Sequence, residues 1–257
     1  MEVAAPDLSR ICGTALNGES LNKPIDVRNH QTFWLGEKTN LKGYNPTAPD
    51  AVLPVLADIS AYLYNDHNTD PLIKATLVHY QFEMIHPFER YNGIIGRILV
   101  PMVLRDTIGE AMPLICLSEY LYHNKNEYFD LLRTTQYSGG YIRWIKFFVN
   151  AVGQAAKQSV EVQMYYEQII ASDYDILSEI RNSSQSVCSV HEFLKAILIT
   201  NNSFTAEAVG LSFNSASKAM HVLQEYGIIS QISDSERNRI WFYKSISDGI
   251  EIQGVRK

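Results

Sequence analysis

The chain has 257 residues, 46% of them hydrophobic, and its 22 Lys and Arg against 28 Asp and Glu give a formal net charge of −6. This length suffices for one sizeable core and a smaller second domain. The acidic balance argues against a nucleic-acid-binding or membrane-surface protein that relies on bulk positive charge, so any phosphate-bearing ligand must be held locally.

Cysteine usage and the chain start indicate a compartment. Cys12, Cys116 and Cys188 are widely separated, which fits neither a disulfide framework nor a zinc site, so a metal centre is not predicted and a reducing environment is. The first residues lack a basic lead before an apolar run, and no apolar stretch is long enough to span a bilayer. We therefore expect a cytoplasmic protein with no membrane partner.

The first 50 residues are mostly irregular. A short helical pattern runs from Asp7 to Leu16. Between Arg28 and Asp50, Phe33 and Trp34 stand among glycines and prolines, a composition that favours a short β-hairpin or flap over a helix. On composition alone such an aromatic pair is more often a core anchor than a ligand surface.

The middle of the chain is helical. Apolar residues recur with helical spacing from Asp50 and again from Pro71, and we expect both helices to face a shared core. The second helix must end near His86, because a residue before proline is pushed out of the helical conformation. After a loop at 87–91, another apolar and fully buried helix is predicted to begin at position 92 or 93.

Further helices are predicted at 118–132 and 141–156, followed by a long amphipathic helix to about Ile180. The polar segment 181–186 has the composition of a linker. We therefore predict a first domain over 1–180 and a second over 187–257.

The second domain shows helical patterns at 191–200, 205–210 and 215–226, and then two strand-like runs at 227–232 and 240–243. This order is typical of a winged helix, with 215–226 as the recognition helix and Arg237 and Arg239 on the wing. From position 186 onward, however, seven Lys and Arg balance seven Asp and Glu. DNA binding therefore stays open beside protein contact and homodimerisation.

The loop at 87–91 has the setting for phosphate chemistry. A loop that leads into a helix N-terminus presents unpaired N–H groups and the positive end of the helix dipole, which together attract an anion. His86 would lie beside that anion, and histidine is well suited to take a proton from a hydroxyl near neutral pH. This arrangement indicates phosphoryl or nucleotidyl transfer.

The segment from His86 to Arg97 resembles the Fic motif, H-P-F-x-D/E-G-N-G-R-x-G-R. Seven residues stand at motif positions without a gap: His86, Pro87, Phe88, Asn92, Gly93, Gly96 and Arg97. The likeness covers roughly 8–156. It implies a mainly α fold, namely a Fic-type helical bundle with a small β-hairpin flap, to which relatives often append a winged helix-turn-helix domain.

The resemblance also implies an activity, transfer of AMP from ATP to a Ser, Thr or Tyr hydroxyl of a target protein. His86 would be the general base, and the flap with Phe33 and Trp34 would dock an extended segment of the target. The implied phosphate- and nucleotide-binding residues are Asn92, Gly93, Gly96, Arg97, Asn124 and Tyr128. Capping of the helix by Asn92, an ion pair for Arg97 and simple packing for Tyr128 are the plainer alternatives.

Three residues depart from the motif. Arg90 replaces the acidic ligand of Mg²⁺ and carries no oxygen, so the metal site is in doubt. Tyr91 replaces a glycine, which predicts crowding or a changed loop path, and Ile94 replaces a phosphate-binding arginine. Two hypotheses remain: Arg90 supplies the missing positive charge at the phosphates and transfer persists, or the domain is an inactive nucleotide- or DNA-binding regulator.

Overall fold

The computed structural model describes residues 26–32, 44–108, 115–179, 185–232 and 239–244. It is mainly helical, as predicted, and divides into two compact units, Met1–Ser159 and Val160–Lys257. Across these described ranges, no helix combines the length and the apolar character needed to cross a membrane. The helix predicted at 7–16 lies outside them.

The first unit opens, in the described ranges, with a 3₁₀ turn at Pro49–Ala51. Its helices are α1 (Val52–Asn65), α2 (Pro71–Ile85), α3 (Asn92–Ile108), α4 (Leu117–His123) and α5 (Lys125–Ser138), and the start of α6 (Tyr141–Glu179) also belongs to it. The start of α2 is fixed by Asp70, whose carboxylate accepts the N–H groups of Leu72 and Ile73 at 2.9 and 3.3 Å.

Aromatic rings fill the centre of this unit. Trp144 and Phe148 of α6 are fully buried, and the Trp144 indole N–H donates to the carbonyl of Thr76 on α2 at 3.1 Å. His79 of α2 stacks on Phe148 with ring centroids 4.4 Å apart. These contacts fix α2, the helix that leads to His86, within the core.

Two helix boundaries differ from the prediction. The single helix expected at 118–132 is broken at Asn124, whose ψ of 26° is not helical, so that α4 ends and α5 begins there. The helices expected at 141–156 and up to Ile180 are one continuous helix, α6. No proline interrupts that stretch, and Gly153 alone does not stop it.

The second unit contains the C-terminal part of α6, α7 (Gln185–Ala196), β1 (Ile199–Asn201), α8 (Asn202–Ala208), α9 (Phe213–Glu225), β2 (Ile229–Gln231) and β3 (Ile240–Tyr243). The strands form an antiparallel sheet in the order β1-β3-β2. Asn201 and Ser212 cap α8 and α9 by accepting N–H groups of the first turns.

The helix predicted at 191–200 is shifted toward the N-terminus in the structure. It begins at Gln185, inside the predicted linker, and ends at Ala196, while Ile199–Asn201 pair with β3 instead of continuing the helix. Cross-strand pairing decides this, since β-branched Ile199 and Thr200 suit a strand. Residues 181–184 and Arg237 lie outside the described ranges. The winged-helix assignment stays a prediction.

Candidate functional site

His86 is the residue at which α2 stops. Its N–H donates to the carbonyl of Phe82 at 2.9 Å, and its backbone takes the left-handed conformation, with φ of 47°. A non-glycine residue in this conformation stores backbone strain, which usually indicates that the surroundings hold it for a purpose. The following Pro87 prevents the helix from continuing.

Arg28 holds this helix end from outside. Its guanidinium donates to the carbonyls of Ile85 at 3.0 Å and His86 at 2.7 Å, and also to those of His30 and Thr47. The side chain is buried, being only 2% exposed. Arg28 therefore satisfies carbonyls that the end of α2 leaves without helical partners.

Two chain segments meet beside His86 and belong to the predicted flap. Val27 forms an antiparallel bridge with Phe88, and the N–H of Arg28 donates to the Pro87 carbonyl at 2.9 Å. On the return side, the N–H of Thr47 donates to the Met84 carbonyl at 3.1 Å. The base of the predicted flap thus adjoins the helix end. Its tip, with Phe33 and Trp34, lies outside the described residues.

Gln31 links the two segments. Its side-chain amide donates to the Asn45 side chain at 3.0 Å and to the Pro46 carbonyl at 3.0 Å. Asn45 is fixed in turn by Gln136 of α5, which accepts its N–H at 3.3 Å and donates to its carbonyl at 2.9 Å. The flap base is therefore anchored by hydrogen bonds on both sides.

Asn92 braces the motif loop. Its side-chain oxygen accepts the N–H of Phe88 at 2.9 Å, and its side-chain nitrogen donates to the Phe88 carbonyl at 2.7 Å. With only 2% of its surface exposed, the Asn92 side chain shapes the loop from inside. The sequence predicted phosphate contact or helix capping for Asn92. In the structure its side chain instead closes the loop through its two hydrogen bonds with Phe88.

Tyr91 keeps a backbone conformation that favours glycine. Its φ is 69°, in the left-handed region that glycine adopts freely. The ring is 39% exposed, and the guanidinium of Arg90 lies 5.7 Å from its centroid. Arg90 is itself exposed at the loop surface, and crowding or a changed loop path stays a prediction.

The first turn of α3 carries the glycines of the motif. Ile94 is 39% exposed there, which corrects the prediction of a fully buried helix. Gly93 stands beside Arg97, since a Cβ atom built on Gly93 would lie 3.3 Å from Nη1 of Arg97. The N-terminal N–H groups of a helix and a nearby guanidinium both favour an anion at this turn.

A buried carboxyl lies under the same turn. Glu83 of α2 is 4% exposed, and its Oε1 has no hydrogen-bond partner. Burial raises the Glu83 pKa to about 7, although the charge of Arg97 acts in the opposite direction. Near neutral pH, this group therefore exists in both protonation states.

His86 has the protonation state of a base. Burial and the charge of Arg28 lower its pKa to about 4, against a weaker opposing effect of the Glu83 backbone. At neutral pH the imidazole is consequently unprotonated and can accept a proton. Its Nδ1 lies 3.2 Å from the hydroxyl oxygen of Tyr44.

Asn124 and Tyr128 are placed less favourably for a ligand. The Asn124 side chain donates to the Tyr120 carbonyl at 2.8 Å. Tyr128 is 7% exposed, and its hydroxyl lies 3.0 Å from Nε2 of buried His79. This geometry favours the packing interpretation of Tyr128, and nucleotide contact by either residue stays a prediction.

The oxygen donors that Mg²⁺ prefers are poorly represented at the loop. Arg90 contributes none, and Glu89 is directed to the surface, where its carboxylate lies 3.9 Å from the ring of His30. In the described part of the chain, no three or more His, Cys, Asp or Glu side chains group together in a way that suits a metal. The residues of this site therefore do not fit a protein-ligated Mg²⁺.

Sequence reasoning missed three residues of the site: Arg28, Tyr44 and Glu83. Arg28 and Tyr44 lie far from the motif along the chain and stand in irregular sequence, so no periodicity singles them out. Glu83 had a signal, because it is a charged residue between the apolar residues Phe82 and Met84, three positions before His86.

Comparisons with known proteins give three kinds of match, namely to a family model, to protein sequences and to a solved structure. Residues 12–104 match the family model described as the Fic/DOC family. A 64-residue stretch is 38% identical to a protein adenylyltransferase of Caenorhabditis briggsae, and covers 24% of this chain and 12% of that protein. A 118-residue stretch is 29% identical to a probable protein adenylyltransferase of Aquifex aeolicus (strain VF5), covering 46% of this chain and 33% of that protein.

These matches span at most a third of either relative. Among solved structures, a Fic family protein from Desulfovibrio desulfuricans G20 superposes with a TM-score of 0.52 over 92% of this chain and 67% of that one, at 18% identity. A likeness at this identity supports the helical fold alone.

Proposed function

We propose that this chain, whose residues 12–104 match the Fic/DOC family model, transfers AMP from ATP to a Ser, Thr or Tyr hydroxyl of a target protein. One observation carries the proposal: His86, unprotonated at neutral pH, lies where α2 ends and the loop into the N-terminus of α3 begins. Nucleotidyl transfer needs a base for the hydroxyl proton and a site that binds the phosphates, and this arrangement supplies both.

In the proposed reaction, His86 accepts the proton of the target hydroxyl. The hydroxyl oxygen then forms a bond to the α-phosphorus of ATP, the bond from that phosphorus to the bridging oxygen breaks, and pyrophosphate leaves. The protein supplies alignment and charge stabilisation, which account for most of the catalysis of such transfers.

The phosphates would be held by the first turn of α3. Gly93 allows an approach to its backbone, and Arg97 lies beside Gly93 with its Nη1 near the space a Cβ would occupy. No ion pair joins Arg97 to a carboxylate in the described residues, since Glu83 acts on it only through its charge. Its guanidinium is therefore available to an anion.

We propose that Arg90, which stands where the motif has its metal ligand, supplies positive charge to the bound phosphates. This side chain is exposed at the loop, where it lies 5.7 Å from the centroid of the Tyr91 ring, so it can turn toward a bound phosphate. A guanidinium offers charge and donors but cannot bridge phosphates as a metal ion does. We therefore propose transfer at a rate below that of a domain with the complete motif.

Docking of the target would use the flap. The described base of the flap, 26–32 and 44–48, adjoins His86 through the hydrogen bonds of Arg28 and Thr47, which supports a role in bringing a target hydroxyl to the base. An extended target segment would pair along this flap, with Phe33 and Trp34 as apolar contacts.

The experiment uses α-labelled ATP with cell lysate and compares four proteins: the natural chain, His86→Ala, His123→Ala as an exposed control, and the triple change Arg90→Asp, Tyr91→Gly, Ile94→Arg. We expect label on protein with the natural chain and the control, none with His86→Ala, and more with the triple change. Label with the triple change alone would reject AMP transfer by the natural chain.

A nucleotide-binding regulator without transfer is the second candidate. The exposed Ile94 favours it, because an apolar side chain at the anion-binding turn removes a fork of donors. ATP binding by calorimetry with no transfer would support this candidate.

The second unit of the chain is a candidate for DNA binding, through α9 and the segment before β3. If it binds DNA, the protein should retain DNA on a filter, and this retention should weaken steeply as the salt concentration rises.

A further inference from the structure

Tyr44 packs against the ring of His86, the proposed base. It is 3% exposed, its hydroxyl oxygen lies 3.2 Å from Nδ1 of His86, and the two rings meet edge to face at 6.3 Å. Its neighbour Asn45 is tied to Gln136, so the ring is held by a segment that is itself fixed. The contact therefore does not depend on a bound ligand.

The protonation of the two groups limits what they can do. Burial and the charge of Glu83 raise the pKa of Tyr44, so its hydroxyl stays neutral and cannot act as a base. A neutral imidazole carries one hydrogen, on either Nδ1 or Nε2. Since Nδ1 already faces Tyr44, Nε2 is the ring nitrogen that can face a target hydroxyl. A base that accepts a proton at Nε2 carries its hydrogen on Nδ1, and the Tyr44 oxygen can accept that hydrogen.

We propose that Tyr44 is a positioning residue for His86: its hydroxyl oxygen accepts the hydrogen of Nδ1, which holds the ring and leaves Nε2 as the nitrogen that takes the proton of the target hydroxyl. This assignment rests on the proposed AMP transfer, and the tautomer can be measured without it. Tyr44 belongs to the return segment of the predicted flap and contacts His86. It would therefore connect the surface that docks the target to the base that acts on the target.

The tautomer is measured by long-range ¹H–¹⁵N NMR on the full chain labelled at histidine, with the His86 signals assigned by their loss in His86→Ala. We expect the natural chain to carry its hydrogen on Nδ1. In Tyr44→Phe, which keeps the ring and removes the hydroxyl, the two tautomers should both be populated. Tyr120→Phe is the matched control, because the Tyr120 hydroxyl accepts from exposed Asn150 at 2.8 Å.

A hydrogen on Nε2 in the natural chain would overturn the proposal, and so would a His86 tautomer that is the same in Tyr44→Phe. The first result needs no variant, so misfolding of a variant cannot obscure it.

Kinetics separate this inference from the proposed function. Where the natural chain transfers AMP, Tyr44→Phe should lower kcat by about 10-fold with an unchanged KM for ATP, and Tyr120→Phe should change neither. An unchanged kcat in Tyr44→Phe contradicts the positioning role. Absence of transfer by the natural chain, together with the expected NMR result, would reject the proposed function and leave the positioning of His86 standing.

Discussion

Gly96 of α3 lies against the carboxyl of Glu83 of α2, so closely that a Cβ atom at Gly96 would stand 2.5 Å from Oε1 of Glu83. His79 of α2 also contacts Gly96, since its Nδ1 lies 2.8 Å from the Gly96 carbonyl. The two helices that flank the motif loop, α2 and α3, therefore pack so closely at Gly96 that a Cβ atom does not fit. This contact fixes the position of His86 relative to the first turn of α3.

Gly96→Ala should destabilise the protein. The added methyl must displace a buried carboxyl, and its other near neighbours are the rings of His79 and Phe82, both at 3.3 Å. Overpacking of this kind costs about 1–3 kcal/mol. Gly153→Ala is the matched control, because nothing lies within 4 Å of its Cβ position in the interior of α6, and it should stabilise by roughly 0.5–1 kcal/mol. Equal melting temperatures for the two variants would contradict the close contact.

The variant Tyr91→Gly should have a larger free energy of unfolding than Tyr91→Ala. The φ of 69° strains any residue with a Cβ, by roughly 1–2 kcal/mol, whereas glycine adopts it freely. Urea unfolding of Tyr91→Gly and Tyr91→Ala compares two variants that both lack the ring, so the loss of its contact with Arg90 cancels. An alanine variant as stable as the glycine variant would show that the loop does not hold the left-handed conformation.

Arg28→Lys should destabilise the folded protein strongly, although the substitution keeps the positive charge. A lysine ammonium cannot reproduce the fork that serves the carbonyls of Ile85, His86 and Thr47, and a buried unpaired carbonyl costs about 1–3 kcal/mol. The same change at exposed Arg143 should stay within about 0.5 kcal/mol. Comparable unfolding free energies for the two variants would remove Arg28 as a clamp of the helix end.

Stability should fall with rising pH through Glu83. Its pKa is raised from 4.5 to about 7 in the folded chain, so its favourable contribution is complete below pH 4.5 and is lost as the pH rises through 7. The loss amounts to about 3 kcal/mol at most. His79 and His86 act in the opposite direction: burial lowers the pKa of each to about 4, so their contribution is lost as the pH falls from 6.5 toward 4.

Glu83→Gln isolates the carboxyl from the two histidines. The unfolding free energy of the natural chain minus that of Glu83→Gln should decrease between pH 5 and pH 8, because the amide does not ionise. Chemical denaturation of both proteins at the two pH values gives this difference. A difference that is constant with pH would mean that Glu83 ionises as it does in the unfolded chain.

The residues that sequence reasoning placed correctly were those with local signals. The start of α3 followed from the motif and its apolar run, and the end of α2 from Pro87, which disfavours helix at His86. The strands β2 and β3 followed from their β-branched and aromatic composition. Each of these signals lies within a few residues of the feature that it predicts.

What sequence reasoning missed depends on distant contacts. Arg28 is far from Ile85 along the chain, and only the fold brings its guanidinium to the helix end. The motif resemblance assigned Asn92 to phosphate binding, with helix capping as the alternative, whereas its contacts with the N–H and the carbonyl of Phe88 depend on the path of the folded loop. The break at Asn124 and the strand β1 depend on packing and pairing partners that periodicity does not contain.

The most direct test of the central claim is the position of the label that ATP leaves on protein. The natural chain and His86→Ala are each incubated with α-labelled and, separately, γ-labelled ATP and with lysate proteins. Base-assisted AMP transfer predicts that the α-label alone becomes protein-bound, that pyrophosphate carries the γ-label, and that His86→Ala abolishes both. Protein labelling that persists in His86→Ala, or that carries the γ-label, would contradict it.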